Sequence, residues 1–142
     1  MDLMHGLPRP WLLIIDDEQD IAEELAELCD ASGFPAIHAG NLGPALVLLR
    51  ANPTIRVIAS DLRMPNQETG ALMRALNAAS SQVGHPCLVM VLTGHAGTDE
   101  QEIATALGIR HFFPKPIDTD TFLAALTQVA EADRQGSVVT SE

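Results

Sequence analysis

The 142-residue sequence has no tyrosine, one tryptophan and only two cysteines. Cys29 and Cys87 form no CxxC pair and both stand in apolar surroundings, so they read as small buried hydrophobes rather than a disulfide or redox pair. Basic residues are scarce: 8 Lys and Arg face 19 Asp and Glu, for a net charge of −11. That balance argues against binding DNA or RNA through a basic face, and leaves a basic protein partner open. Long apolar runs are missing as well. The longest, such as Trp11 to Ile15 and Cys87 to Leu92, fall far short of the roughly 20 residues that a membrane span needs. Met1 to Pro10 lacks the basic region and apolar stretch of a signal peptide. The histidines, His5, His38, His85, His95 and His111, show no metal-ligand spacing and are expected on the surface or in loops. There is no internal repeat and no low-complexity segment. These absences point to the cytoplasm. The 46% of hydrophobic residues are enough for the core of one domain.

What is present is an alternation. Five short apolar runs are expected as strands: Trp11 to Ile15, Pro35 to Ala39, Arg56 to Ser60, Cys87 to Leu92 and Ile109 to Phe113. Between and after them run helical patterns. Helix 1 places Ile21, Leu25 and Leu28 at helical spacing, with Gly33 as its stop. Helix 2 carries Leu42, Leu46 and Leu49, and helix 3 carries Leu72, Met73 and Leu76. Helix 4 has Ile103 and Leu107, stopped by Gly108. Helix 5 opens at Asp118, a good N-cap, and buries Phe122, Leu126 and Val129. The first, third and fourth runs are nearly all apolar rather than alternating, as in strands covered on both faces. Strict β-α alternation then implies an α/β, doubly wound parallel sheet. The expected organisation is an N-terminal extension over 1–10, a domain over 11–132, and a flexible tail or linker start over 133–142.

The strand ends carry the chemistry. Asp16 and Asp17 end the first run. Asp61 ends the third, within Ser60-Asp61-Leu62-Arg63-Met64-Pro65. Thr93 ends the fourth, and Lys115 follows the fifth. In an open parallel sheet these ends lie on one side, where ligands bind. Carboxylates, a hydroxyl and an ammonium together suit a divalent cation and a phosphoryl group. At about 4 Å and an effective dielectric of about 20, each pair of converging carboxylates costs roughly 4 kcal/mol, which a cation relieves. The blander alternative is that Asp16 and Asp17 cap helix 1, whose Glu18 and Asp20 suit the N-terminal dipole. Glu23, Glu24 and Glu27 read as the solvated face of that helix, with docking of a protein partner as the second reading.

Together these residues resemble the receiver domain of two-component response regulators. The resemblance runs from about Trp11 to Val129. It rests on Asp16-Asp17, on Asp61 with Met64-Pro65, on Thr93-Gly94 and on Lys115-Pro116, in register with the strands. It implies a flavodoxin-like (βα)5 fold with strand order 2-1-3-4-5. It also implies a role for each residue. Asp61 is the phosphoacceptor for a phosphohistidine on a sensor histidine kinase or phosphotransfer protein. Asp17 and Asp61 ligate Mg²⁺ (or Mn²⁺), Asp16 holds a metal-bound water, and the backbone carbonyl of Arg63 completes the set. Lys115 pairs with Asp61 and later with the phosphoryl oxygens, and its bond to Pro116 is cis. The new group adds about −1.5 to −2 charge. Thr93 then shifts to bond it, and Phe112 swings into the vacated space. With no tyrosine hydroxyl at Phe112, looser coupling is expected. The face of helix 4, strand 5 and helix 5 carries the signal.

The pattern departs from the family in places. Receivers usually have a glycine where Thr69 stands, and Gly70 comes one later, so the loop Asn66 to Gly70 is expected to hold an extra residue or a different turn. Arg63 and His95, with Gly94, occupy positions that tune loss of the phosphoryl group. The resemblance implies no enzyme beyond self-phosphorylation and autodephosphorylation. A pseudo-receiver binding module is the alternative, although none of Asp61, Lys115 and the acidic pair is lost. A Mg²⁺-dependent aspartyl phosphohydrolase would need an aspartate where Arg63 stands. A flavin carrier would need a Gly/Ser/Thr-rich loop after strand one. No output domain follows helix 5, so a free-standing protein and a piece of a longer regulator both fit. A homodimer through helices 4 and 5 is a family habit.

Overall fold

The computed structural model describes residues 6–62, 69–82, 87–94 and 98–134, with the backbone alone at 69, 70, 80–82, 98–100 and 134. Strands and helices alternate: β1 (Leu12–Ile15), α1 (Gln19–Ala31), β2 (Ala36–Ala39), α2 (Leu42–Ala51), β3 (Val57–Asp61), α3 (Thr69–Gln82), β4 (Leu88–Thr93), α4 (Thr98–Ala106), β5 (His111–Pro114) and α5 (Thr119–Arg134). The strands form one parallel sheet in the order β2-β1-β3-β4-β5. This is the flavodoxin-like arrangement expected of the sequence.

The side-chain period of a strand sorts the apolar runs onto two faces. Leu12, Ile14, Val57, Ala59, Leu88, Met90, Leu92 and Phe113 pack with buried residues of α1 and α5. Leu13, Ile15, Ile58, Val89 and Val91 point the other way and pack with α2, α3 and α4. Both faces are covered, which is why β1, β3 and β4 show no polar alternation.

Two helix ends are set by glycine. Gly33 (φ 95°) and Gly108 (φ 87°) adopt the left-handed conformation that side chains resist. Around Gly33, the Gly33 N–H bonds Asp30 O and the Phe34 N–H bonds Cys29 O. Around Gly108, the same pair runs from Gly108 to Thr105 and from Ile109 to Ala104. Each is a Schellman closure with a buried apolar residue just beyond it, Phe34 or Ile109. Ile109 therefore closes α4, and β5 begins only at His111. At the other end, Asp118 caps α5, its side chain accepting from Asp120 N–H and Thr121 Oγ1–H.

Some sequence expectations are corrected. On α1 the buried stripe is Ala22, Leu25, Ala26 and Cys29, while Ile21 (40% exposed) and Leu28 (36%) sit at its margin. The helix lies close to the sheet, so small residues face inward. On α4 too the buried residue is a small one: Ala104 is buried, while Ile103 and Leu107 are half-covered. Cys87 is half-buried, unlike Cys29. His38 lies on β2 and His111 on β5, both half-buried in the sheet rather than in surface loops. Residues 7–10 are docked: Leu7 packs on the α1–α5 core, Arg9 pairs with Asp30, and Pro10 O accepts from Thr54 Oγ1 at 2.6 Å. α5 runs through Arg134, so Asp133 is helical and not part of a tail.

Candidate functional site

The site follows from strand register. Ile15 pairs with Ser60, so the next residues, Asp16 and Asp61, stand side by side at one edge of the sheet. Asp61 pairs with Leu92 and Thr93 with Pro114, which brings Thr93 and then Lys115 to the same edge. The amide of Lys115 donates to Thr93 O at 2.7 Å, fixing the start of the β5–α5 loop. The Lys115–Pro116 peptide is cis, as the resemblance implies, and Arg9–Pro10 is cis as well.

Three carboxylates converge here. Asp16, Asp17 and Asp61 each offer an oxygen, and these atoms lie within 4.8 Å of one another. Asp16 and Asp61 are buried; Asp17 is exposed. At that spacing and an effective dielectric of about 20, a pair of full charges repels by roughly 3 kcal/mol. Lys115 relieves part of this. Its Nζ lies 2.8 Å from Asp16 Oδ2 and 3.0 Å from Asp61 Oδ2. Burial disfavours the Lys115 ammonium, but hydrogen bonds and charge attraction from both aspartates prevail and hold its pKa above the ordinary lysine value. The other oxygen of Asp16, Oδ1, accepts from the Glu18 N–H at 2.9 Å and so shapes the β1–α1 turn. Asp16 thus stands in the acidic cluster and shapes the turn into α1, whose N-cap is Glu18, with no side-chain cap bond. Asp17 and Asp61, all-oxygen donors beside it, suit a hard cation such as Mg²⁺.

Other expected site residues fall as follows. Thr93 is half-buried at the end of β4. Gly94 lies beside Lys115, and an added Cβ would meet Lys115 Cδ at an ordinary 3.9 Å. Phe112 is half-buried against the α2–α4 side of the core, the face that Thr93 also shares by strand alternation. Its neighbour Phe113 is core, meeting Phe122 edge to face at 5.1 Å. Arg63, Met64, Pro65 and His95 lie outside the described residues, as does most of the loop Asn66 to Gly70; α3 starts at Thr69.

Two features escaped the sequence reading. One is the second bond of Lys115, to Asp16. The other is an apolar hollow of about 380 Å³ beside the cluster, lined by Ile21, Leu25, Leu28, Lys115, Pro116 and Ile117 among others. The exposed apolar residues of α1 were the available signal for it. Glu23, Glu24 and Glu27 are exposed on the same helix.

The family profile of the response regulator receiver domain matches residues 12–127. The chain belongs to the response regulator receiver family. Among relatives of this receiver, the two-component response regulator PprB of Pseudomonas aeruginosa is 28% identical over 118 residues, covering 83% of this chain and 42% of that protein. The transcriptional regulatory protein FixJ of Azorhizobium caulinodans is 32% identical over 127 residues, covering 86% and 57%. This chain thus spans only about half the length of such relatives. Among solved structures, a response regulator receiver protein from Pseudomonas putida superposes with a TM-score of 0.76 at 25% identity, covering 85% of this receiver and 98% of that chain. A response regulator from Burkholderia pseudomallei, with a phosphorylated aspartic acid, calcium ion and citrate, gives 0.70 at 27% identity, covering 88% and 71%. Among the described residues, no helix is long and apolar enough to cross a membrane.

Proposed function

We propose that this receiver is a phosphoacceptor switch in two-component signalling, with Asp61 as the acceptor. The observation that carries the reading is Lys115 Nζ at 3.0 Å from Asp61 Oδ2, inside a cluster of three carboxylates. A carboxylate oxygen of Asp61 attacks phosphorus of a donor phosphohistidine on a sensor kinase or phosphotransfer protein. The O–P bond forms as the donor's P–N bond breaks, and the electron pair leaves on the imidazole nitrogen. Phosphoryl transfer depends mainly on positioning and charge neutralisation. Asp16, Asp17 and Asp61 would hold Mg²⁺ or Mn²⁺, which supplies positive charge to the phosphoryl oxygens when bound. Lys115 contributes a second positive charge at the same oxygens. Thr93 offers a hydroxyl, and Phe112 reports the rearrangement to the α4–β5–α5 face.

The Burkholderia pseudomallei relative, with its phosphorylated aspartic acid and calcium ion, supports this chemistry by similarity. The chain acts as a switch and not as an enzyme beyond forming and losing its own phosphoryl group. Its setting is the cytoplasm. Its downstream target is a partner protein or a linked output domain, as relatives longer than this chain suggest. Incubation with acetyl phosphate, with and without Mg²⁺, tests the reading by intact mass. One phosphoryl group gained only with the cation supports it; no gain at any Mg²⁺ concentration sinks it.

A further inference from the structure

A second polar cluster sits on the floor of the sheet, at the opposite end of the strands from the carboxylates. Trp11, just before β1, is completely buried. A buried indole N–H requires an acceptor. Asp133 Oδ2 provides it at 3.2 Å, across 122 residues of chain. The other oxygen, Oδ1, lies 3.1 Å from Arg56 Nη2. That contact lacks hydrogen-bond geometry, so the attraction there is ionic. It is not a solvated surface pair: the two side chains are only 29% and 13% exposed.

The placement matters more than the pairing. Arg56 and Trp11 precede β3 and β1, the adjacent central strands whose far ends lead to Asp61 and Asp16. Asp133 stands in the last turn of α5. Apolar anchoring of this helix ends at Val129 and Ala130; Glu131 beyond them is exposed. A helix end without such anchors frays. We propose that Asp133 is a latch: it holds the last turn of α5 against the two central strands, so that the end of the helix stands at a fixed point and in a fixed direction. The latch is independent of the phosphoryl chemistry and would fix how anything attached beyond α5 is presented.

Hydrogen exchange on the full chain tests this, with Asp133→Ala, Asp133→Asn and Arg56→Gln beside the parent. In Asp133→Ala, amides of the last turn of α5 should exchange about tenfold faster, the scale of losing a charge-assisted bond that secures a local opening. Amides of β1 and β3 should keep their rates. Trp11 is the only tryptophan, and its emission should become more readily quenched by acrylamide. Asp133→Asn keeps an acceptor for the indole and should fall between the two. Arg56→Gln, which leaves the indole bond intact, should do likewise. Unchanged exchange in the last turn would overturn the proposal. So would acceleration by one common factor in every element, since that is global destabilisation and not a latch. Should Asp133→Ala fail to fold, the two milder variants carry the same comparison.

Discussion

Asp16 and Lys115 are separated by most of the folded chain, yet Oδ2 of one and Nζ of the other lie 2.8 Å apart. The lysine bonds Asp61 from the same atom. It is the internal counter-charge of a crowded acidic cluster. Lys115 is also the only lysine of the chain, which makes its titration separable from others.

Replacing Lys115 with Met should lower stability at neutral pH by about 1–3 kcal/mol, because two buried carboxylates lose a charged donor. The pH dependence has a definite sign. The folded-state pKa is raised above 10.5, so the stabilisation is complete below about that pH and is lost as pH rises through the raised value. Cys29 and Cys87, pushed up by burial to about 12 and about 11, weaken parent and variant alike. The stability gap between parent and Lys115→Met, read from urea unfolding, should thus narrow above pH 10.5. A gap that stays constant into that range would mean that the lysine contributes through packing alone.

Asp17 is the exposed member of the cluster, and Lys115 bonds the other two. Asp17→Asn should remove repulsion without breaking either bond. In chelator the variant should be more stable than the parent by on the order of 1 kcal/mol, given carboxylate oxygens within 4.8 Å of one another and partial solvent screening. Mg²⁺ should raise the melting temperature of the parent and raise that of the variant much less. Equal Mg²⁺ shifts in the two proteins would remove Asp17 from the cation site.

Much of this was legible in the sequence, for physical reasons. The apolar runs of β1, β3 and β4 have no polar alternation because helices cover both faces, and they show it. The residues that end them fall on one edge because the strands are parallel. Packing distance was not legible. Periodicity ranks Ile21 and Leu28 above Ala22 and Ala26, whereas close approach of α1 to the sheet selects the small residues for burial. Nor does the sequence reveal which residues meet across long separations, such as Trp11 with Asp133 or Lys115 with Asp16. The start of β5 was misplaced because Ile109 is apolar for a different purpose, closing α4 behind Gly108.

Phe112 and Phe113 are adjacent but serve opposite faces of the sheet. Phe113→Ala should cost about 3–5 kcal/mol, since it empties a buried site against Phe122. Phe112→Ala, at a half-buried position, should cost about 1–2 kcal/mol. It should leave phosphoryl uptake intact while weakening the change in α4 and α5 exchange that follows uptake. Urea unfolding measures the first pair of values. A Phe112→Ala variant whose α4 responds as fully as the parent would exclude Phe112 from the switch.

The central claim is that Asp61 accepts the phosphoryl group. The most direct measurement is intact mass after acetyl phosphate and Mg²⁺, with the parent beside Asp61→Asn and the modified residue located by peptide mapping. The account predicts one phosphoryl group on the parent, at Asp61, and none on the variant. Equal uptake by both proteins, or a group mapped to another residue, would contradict it.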